Sequence, residues 1–176
     1  MRAFGILTAA LALAGAGCSE HQTKPAADAS VTLAPTAGNS VAGNLKLTFA
    51  GDEVRVQGQL AGLQPGSTHG FHFHEKGDCS APDGSSAGGH FNPHGMAHGN
   101  PSAMPHHAGD IPNQIADAQG VAKVDVVVHG VSLGTGASDD VVGRSIIVHK
   151  DRDDYTSQPA GNSGARVACG VIQKGG

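Results

Sequence analysis

Tryptophan is absent, tyrosine occurs once, and charged residues make up only 15% of the chain. That scarcity argues against long charge-laced helices, while 27 Gly and 9 Pro favour short strands joined by many turns. No Gly-rich phosphate-binding loop and no basic patch occurs, and the formal net charge is −4, so nothing points to nucleic acid. The uncharged run Phe4 to Gly17 is 14 residues long, short of the roughly 20 that a bilayer-spanning helix needs. At 176 residues the chain suits one domain plus short extras and is long enough to bury a core. A β-rich single domain follows.

Histidine is what the chain has in excess. Eight of its 11 His fall between His69 and Asp110: His69, His72, His74, His90, His94, His98, His106 and His107. This stretch is the natural place to look for bound metal.

Arg2, the Ala- and Leu-rich run after it and the small residues Gly15, Ala16 and Gly17 have the pattern of an export signal over residues 1–17. The small residues ending on Cys18 resemble the lipobox of bacterial lipoproteins, whose peptide is cleaved before a Cys that is then lipid-modified; Gly15 stands where that motif usually has Leu. A secretory peptide cut near Cys18 is the other reading. Both imply export, and the first implies a periplasmic or cell-envelope protein held to a bacterial membrane by a lipid on Cys18. Polar residues 18–28 read as a tether and 29–174 as the folded domain. With Cys18 assigned to the anchor, Cys79 and Cys169 are left as a pair in an oxidising compartment, where a disulfide persists. Closing a loop of about 90 residues would stabilise the fold by roughly 4–5 kcal/mol; two unpaired structural thiols are the alternative.

Strand-like segments recur at short intervals. Val31 to Pro35 is short; Val41 to Phe49 and Val54 to Leu60 alternate with period two around Ala50-Gly51-Asp52 and predict a hairpin. His69 to His74 predicts a fourth strand, followed by about 40 residues of loop, too many for an idle connection. Strands are predicted again at Gly120 to His129, Gly143 to His149 and Arg166 to Gln173, with a second Gly- and Asp-rich loop from Lys150 to Ala165. Seven or eight short antiparallel strands point to an all-β sandwich or flattened barrel.

Residues two apart on a strand share a face, so His72 and His74 can grip one ion with Phe73 turned away, and His149 at the end of an apolar run can reach the same place. Imidazoles without a thiolate suit copper as well as zinc. His90, His98, His107 and Asp110 make a tetrahedral zinc set at spacings of eight, nine and three. The competing reading is that His-rich loops of exported proteins simply chelate available metal. His21 and His129 read as solvated, and His94 and His106 as spare.

Several motifs occur in order: Gly70-Phe71-His72-Phe73-His74-Glu75, Gly89-His90-Phe91-Asn92-Pro93, His98-Gly99, His107-Ala108-Gly109-Asp110, Gly143-Arg144-Ser145, Val148-His149 and Gly161-Asn162-Ser163-Gly164-Ala165-Arg166-Val167-Ala168-Cys169-Gly170. Together they resemble copper-zinc superoxide dismutase in its bacterial exported form, over roughly Val31 to Gln173. The resemblance implies an eight-stranded Greek-key β-barrel with two long functional loops. It implies copper on His72, His74, His90 and His149, zinc on His90, His98, His107 and Asp110, and His90 as a bridging imidazolate with a part in proton delivery. It also implies a Cys79–Cys169 disulfide, Arg166 beside the copper guiding superoxide in, and Asp153 linking the copper and zinc ligands from behind. His69 matches a structural histidine, off the metal.

Two difficulties accompany the resemblance. Removal of Arg2 with the signal leaves 10 basic against 15 acidic residues, while superoxide is an anion. Local cations must therefore do the steering: Arg166 first, with Lys76, Lys150 and Arg152 as helpers. Asp154-Tyr155-Thr156-Ser157-Gln158-Pro159 departs from the animal enzymes. The alternatives are a noncatalytic exported copper-binding or chaperone-like module on the same fold, which would be expected to lose copper ligands or the arginine, and a cupin-type metalloenzyme, which would leave the Arg166 motif unexplained. Contacts between chains are not legible in one sequence, so monomer and homodimer both stay open.

Overall fold

Strand alternation sorts the chain into core and surface. In the stretch Glu53–Ala61, Val54, Val56 and Leu60 are fully buried while Glu53, Arg55 and Gln57 face solvent, as period-two side chains on a half-buried sheet require. The computed structural model describes Met1 and residues 27–50 and 53–175. The predicted leader beyond Met1, Cys18, His21 and most of the predicted tether lie outside the described residues, as do Gly51 and Asp52 of the predicted turn.

The strands, in chain order, are β1 (Ala27–Pro35), β2 (Ala42–Ala50), β3 (Glu53–Ala61), β4 (Thr68–His74), β5 (Asp110–Ile115), β6 (Ala122–His129), β7 (Ser145–His149), β8 (Arg166–Val171) and the two-residue β9 (Gln173–Lys174). All strand pairings are antiparallel, in the order β5-β4-β7-β8-β1-β2-β3-β6, and β5 lies against β6, so that the sheet curls into a nearly closed barrel. The step from β3 to β4 passes over β6 and β5, and the step from β6 to β7 passes over β5 and β4, which are Greek-key connections. β9 pairs with the start of β1.

Two elements differ from the sequence expectation. β1 begins at Ala27, four residues earlier than predicted and inside the segment read as tether, because Ala27 to Leu33 pair with β2. β5 falls within the stretch predicted to be all loop. Its sequence, DIPNQI, carries Pro112 and lacks clean alternation, and it becomes a strand through pairing with β4, His72 opposite Asp110. The long loop therefore ends at residue 109.

β4 and β7 are buried on both faces. Phe71, Phe73, Ile146 and Val148 face the barrel interior with Leu33, Leu47, Leu60 and Ile111. Fully burying a side chain such as Phe73 contributes roughly 1.5–3 kcal/mol, and Phe73→Ala would cost about 3–5 kcal/mol. The outward faces of β4 and β7 are covered by loops 75–109 and 150–165. The first loop is tied to β8 by the Cys79–Cys169 disulfide (Cα–Cα 5.8 Å), and Ala87, Ile147 and Cys169 pack beneath it. A disulfide of this kind fits an exported protein.

Candidate metal centre

Because Phe71 and Phe73 face the core, His72 and His74 project from the outer wall of the barrel. The β4–β7 register sets His72 opposite Ile147, so His149, two residues on, shares that outer face. His90 arrives from the long loop beside His74, to which its backbone is bridged. The ligand atoms of His72, His74, His90 and His149 all lie within 4.8 Å of one another, and so do those of His90, His98, His107 and Asp110. All seven residues are buried, and His90 belongs to both sets.

Hydrogen bonds decide which ring atoms face inward. A carbonyl oxygen can only accept, so His74 Nδ1 donates to Gly88 O (2.9 Å) and His149 Nδ1 to Gly164 O (3.2 Å). Their Nε2 atoms, left with lone pairs, stand 3.4 Å apart. His72 is turned the other way: Nε2 donates to Asp153 Oδ2 at 2.7 Å and Nδ1 has no partner. His90 Nε2 also has no partner, while His90 Nδ1 lies 2.8 Å from Asp110 Oδ1 and 3.4 Å from His107 Nδ1. Among the described residues these two nitrogens are the buried side-chain polar atoms left unsatisfied. Such an atom costs about 1–3 kcal/mol unless a ligand occupies it. Both belong to the all-imidazole set, whose donors suit copper; three imidazoles and one carboxylate suit tetrahedral zinc.

Asp110 divides its oxygens. Oδ2 accepts from the backbone N–H of Gly99 (3.1 Å) and His107 (2.8 Å), and Oδ1 faces His90, His98 and His107. Asp153 accepts from His72 at Oδ2 and from His98 Nε2 at Oδ1 (3.0 Å), spanning the two sets. Burial alone would raise both carboxyls, yet the histidine hydrogen bonds hold each well below the usual range. Burial, helped by neighbouring imidazoles, pushes His74 and His149 well below the usual value. Burial also lowers His90, to about 4, against the pull of Asp110. His98 goes the other way: burial opposes its charge, but Asp110 and Asp153 outweigh it and raise His98 to about 9.

Arg166 opens β8 half-buried, donating from Nη1 to Gly84 O (2.7 Å) and from Nη2 to Gly88 O (2.6 Å). Gly88 O is the carbonyl that also fixes His74, and the Arg166 charge is near enough to lower both His74 and His149 further. The expected helpers Lys76, Lys150 and Arg152 are all exposed, and Lys150 lines a separate groove with Gln64 and His69. His69 stands outside both sets, its Nδ1 donating to His149 O (2.8 Å). His94, His106 and His129 are outside them too.

Sequence reasoning assigned no role to four positions that support the site. Asn113 grips the Asp153 backbone from both sides, at 2.9 Å to its carbonyl and 2.9 Å from its N–H. Tyr155 Oη accepts from Asn113 N at 2.8 Å, and Gln158 does for His98 what Asn113 does for Asp153 (3.0 and 2.9 Å). Gly161 adopts φ +65°, and a Cβ there would fall 1.8 Å from Asp153 Oδ1, so no other residue fits. Tyr155 and Gln158 belong to the segment noted for departing from the animal enzymes, and Gly161 opens a motif that carries the resemblance; those were the available signals.

The family model described as copper/zinc superoxide dismutase matches residues 41–172. The chain is 37% identical over 172 residues to "Superoxide dismutase [Cu-Zn] 2" of Aquifex aeolicus, covering 96% of this chain and 97% of that one. To "Superoxide dismutase [Cu-Zn]" of Caulobacter vibrioides it is 45% identical over 141 residues, 75% and 78% of the two chains. Its fold is similar to the crystal structure of a double mutant of a SOD-like protein from Bacillus subtilis, with TM-score 0.71 and 41% identity over 82% of this chain and 96% of that one.

Proposed function

The chain belongs to the copper/zinc superoxide dismutase family, an oxidoreductase family that uses both metals, and from that premise we propose that it dismutes superoxide to dioxygen and hydrogen peroxide outside the cytoplasm. His72 Nδ1 and Nε2 of His74, His90 and His149 would hold copper; His90, His98, His107 and Asp110 would hold zinc. When bound, copper supplies the one-electron cycling that the reaction needs and that zinc, without redox chemistry, cannot. The observation that carries this reading is His90, which turns one ring nitrogen to each set and has Nε2 otherwise unpartnered.

Each peroxide formed takes up two protons. With Nδ1 turned to the zinc set and Nε2 buried and otherwise unpartnered, His90 would help hold both metals, and its Nε2 would be the local atom able to take up a proton and pass it to product. Gly88 and Gly164 carbonyls and Asp153 hold the other three rings in fixed tautomers, so the lone pairs stay aimed inward. Arg166 supplies positive charge next to His74 and His149 in a chain whose formal charge is −4, which draws an anion to this spot and not to the surface at large.

With β1 taking in the last two residues read as tether, residues 27–174 then form the enzyme, 1–17 an export signal and 18–26 a tether whose Cys18 carries lipid. A Cys18→Ser chain found in the soluble envelope fraction, with the parent in the membrane fraction, is the expected result. Sedimentation equilibrium decides between monomer and homodimer.

Superoxide loss by the copper- and zinc-reconstituted protein, with metal content and a parallel His149→Ala sample, tests the activity. Rapid turnover at about one copper and one zinc per chain, lost with His149→Ala, is expected. Metal bound at that ratio without turnover would leave a noncatalytic exported copper-binding module.

A further inference from the structure

A second concentration of metal-binding side chains lies outside both buried sets. A cavity of about 380 Å³ between the long loop and the end of β6 is lined by His94, Met96, Met104, His106, Ala108 and His129. Met96 and Met104 are the two methionines of the chain beyond Met1, and both border this one cavity. The three imidazoles are the described histidines that take no part in the metal sets and do not share the buried role of His69.

The side chains are also prepared as ligands. His106 Nδ1 donates to His107 O at 2.7 Å, which leaves its Nε2 with a lone pair. Holding one ring nitrogen so that the other can bind is the pattern already seen in His72, His74 and His149. His129, at the end of β6, is mostly exposed, with Nδ1 3.6 Å from Glu53 Oε1, too far for a hydrogen bond, so its ring stays free to turn towards an ion. Asn92 fixes the Met96 backbone from both sides, at 2.8 Å to its carbonyl and 2.9 Å from its N–H. Met104 is 68% exposed, so its thioether is open to an ion arriving from solvent.

We propose that this cavity is a separate site for cuprous ion, bound by the thioethers of Met96 and Met104 with imidazole from His94, His106 or His129. Thioether with imidazole is a soft donor set, which selects Cu(I) over zinc, calcium or magnesium. Cu(I) is satisfied by few ligands, so the imidazoles need not already form one coordination sphere. The unbranched methionines, with three rotatable bonds each, close onto the ion.

The test uses the full chain loaded with copper and zinc, its methionine methyls labelled with carbon-13, and titrated anaerobically with Cu(I) against a chromogenic Cu(I) chelator. The Met96 and Met104 methyl signals should shift together and saturate at one added equivalent, with Met1 unmoved. Met96→Leu/Met104→Leu should weaken the added site by at least the roughly 10–100-fold that loss of a supporting partner costs a metal site, with superoxide turnover unchanged. Methyl signals that stay in place, or a double variant that takes up the added Cu(I) as tightly as the parent, would overturn the proposal. Full binding by a Met96→Leu/Met104→Leu chain would assign the added ion to surface histidine alone.

Discussion

His72 of one metal set and His98 of the other donate to opposite oxygens of the same buried carboxylate, Asp153, at 2.7 and 3.0 Å. The two sets are therefore coupled twice, through the shared ring of His90 and from behind through Asp153. Asp153→Asn keeps the shape, but its amide nitrogen cannot accept, so one of the two rings loses its orienting partner. Affinity for zinc, copper or both should fall by about 10–100-fold, read by chelator competition for each metal. Unchanged affinity for both would show that His90 and the backbone suffice to orient the rings.

Local patterns carried much of this fold and site to the surface of the sequence. Alternation marks β2 and β3, and the spacing of His72 and His74 implies a shared face. What stayed hidden is held by distant partners. β5 exists because β4 offers an edge to Asp110, Ile111 and their neighbours, and nothing in DIPNQI demands a strand. Asn113 and Gln158 act on the backbones of Asp153 and His98, 40 and 60 residues away. A polar side chain in a loop has no periodicity that could reveal such a target.

Gln158 supplies a second prediction. Gln158→Ala removes both hydrogen bonds to the His98 backbone and leaves the His98 ring, Asp110 and Asp153 in place. At about 1 kcal/mol per bond, the two together should quicken zinc dissociation by roughly thirtyfold. Stopped-flow transfer to a chelator measures it, and an unaltered rate would mean that loop 150–165 does not hold His98.

The disulfide ties Cys79 in the long loop to Cys169 in β8, with Cα atoms 5.8 Å apart and 90 residues enclosed. Cys79→Ser/Cys169→Ser should lower stability by about 2–5 kcal/mol in denaturant titrations. Because the bridge anchors the loop that supplies Gly84 and Gly88 carbonyls to Arg166, turnover should fall before global unfolding. Equal loss of both together would mean that the loop is held by packing alone.

Arg166 differs from an ordinary surface cation in having both terminal nitrogens tied to carbonyls. Arg166→Lys keeps the charge but cannot span Gly84 and Gly88, whereas Arg166→Ala removes the charge as well. Steering predicts a large loss in kcat/KM for Arg166→Ala, on the order of tenfold or more, with a weaker dependence on ionic strength. Arg166→Lys should retain the salt dependence while losing part of the rate. If both variants lose the same amount and keep the parent's salt dependence, the arginine acts by holding Gly88, and so His74, in place.

The shifted histidines set the pH response of the metal-free protein. His90 has a folded value of about 4 against an ordinary 6.5, so between those values the unfolded chain binds a proton that the folded chain refuses. Stability must therefore fall as pH drops from 6.5 towards 4. His98 has the opposite sign. Raised to about 9, it contributes stability that is fully present below 6.5 and is lost as pH rises towards 9. The metal-free protein should accordingly be most stable near pH 6.5 and weaken on both sides in denaturant titrations. Zinc binding adds an independent check, because Nδ1 of a protonated His98 must give up its proton to bind. At pH 7.5 calorimetry in buffers of different ionisation enthalpy should record about one proton released per zinc. A stability maximum far from pH 6.5, together with zinc binding that releases no proton, would show that His98 is already neutral between Asp110 and Asp153.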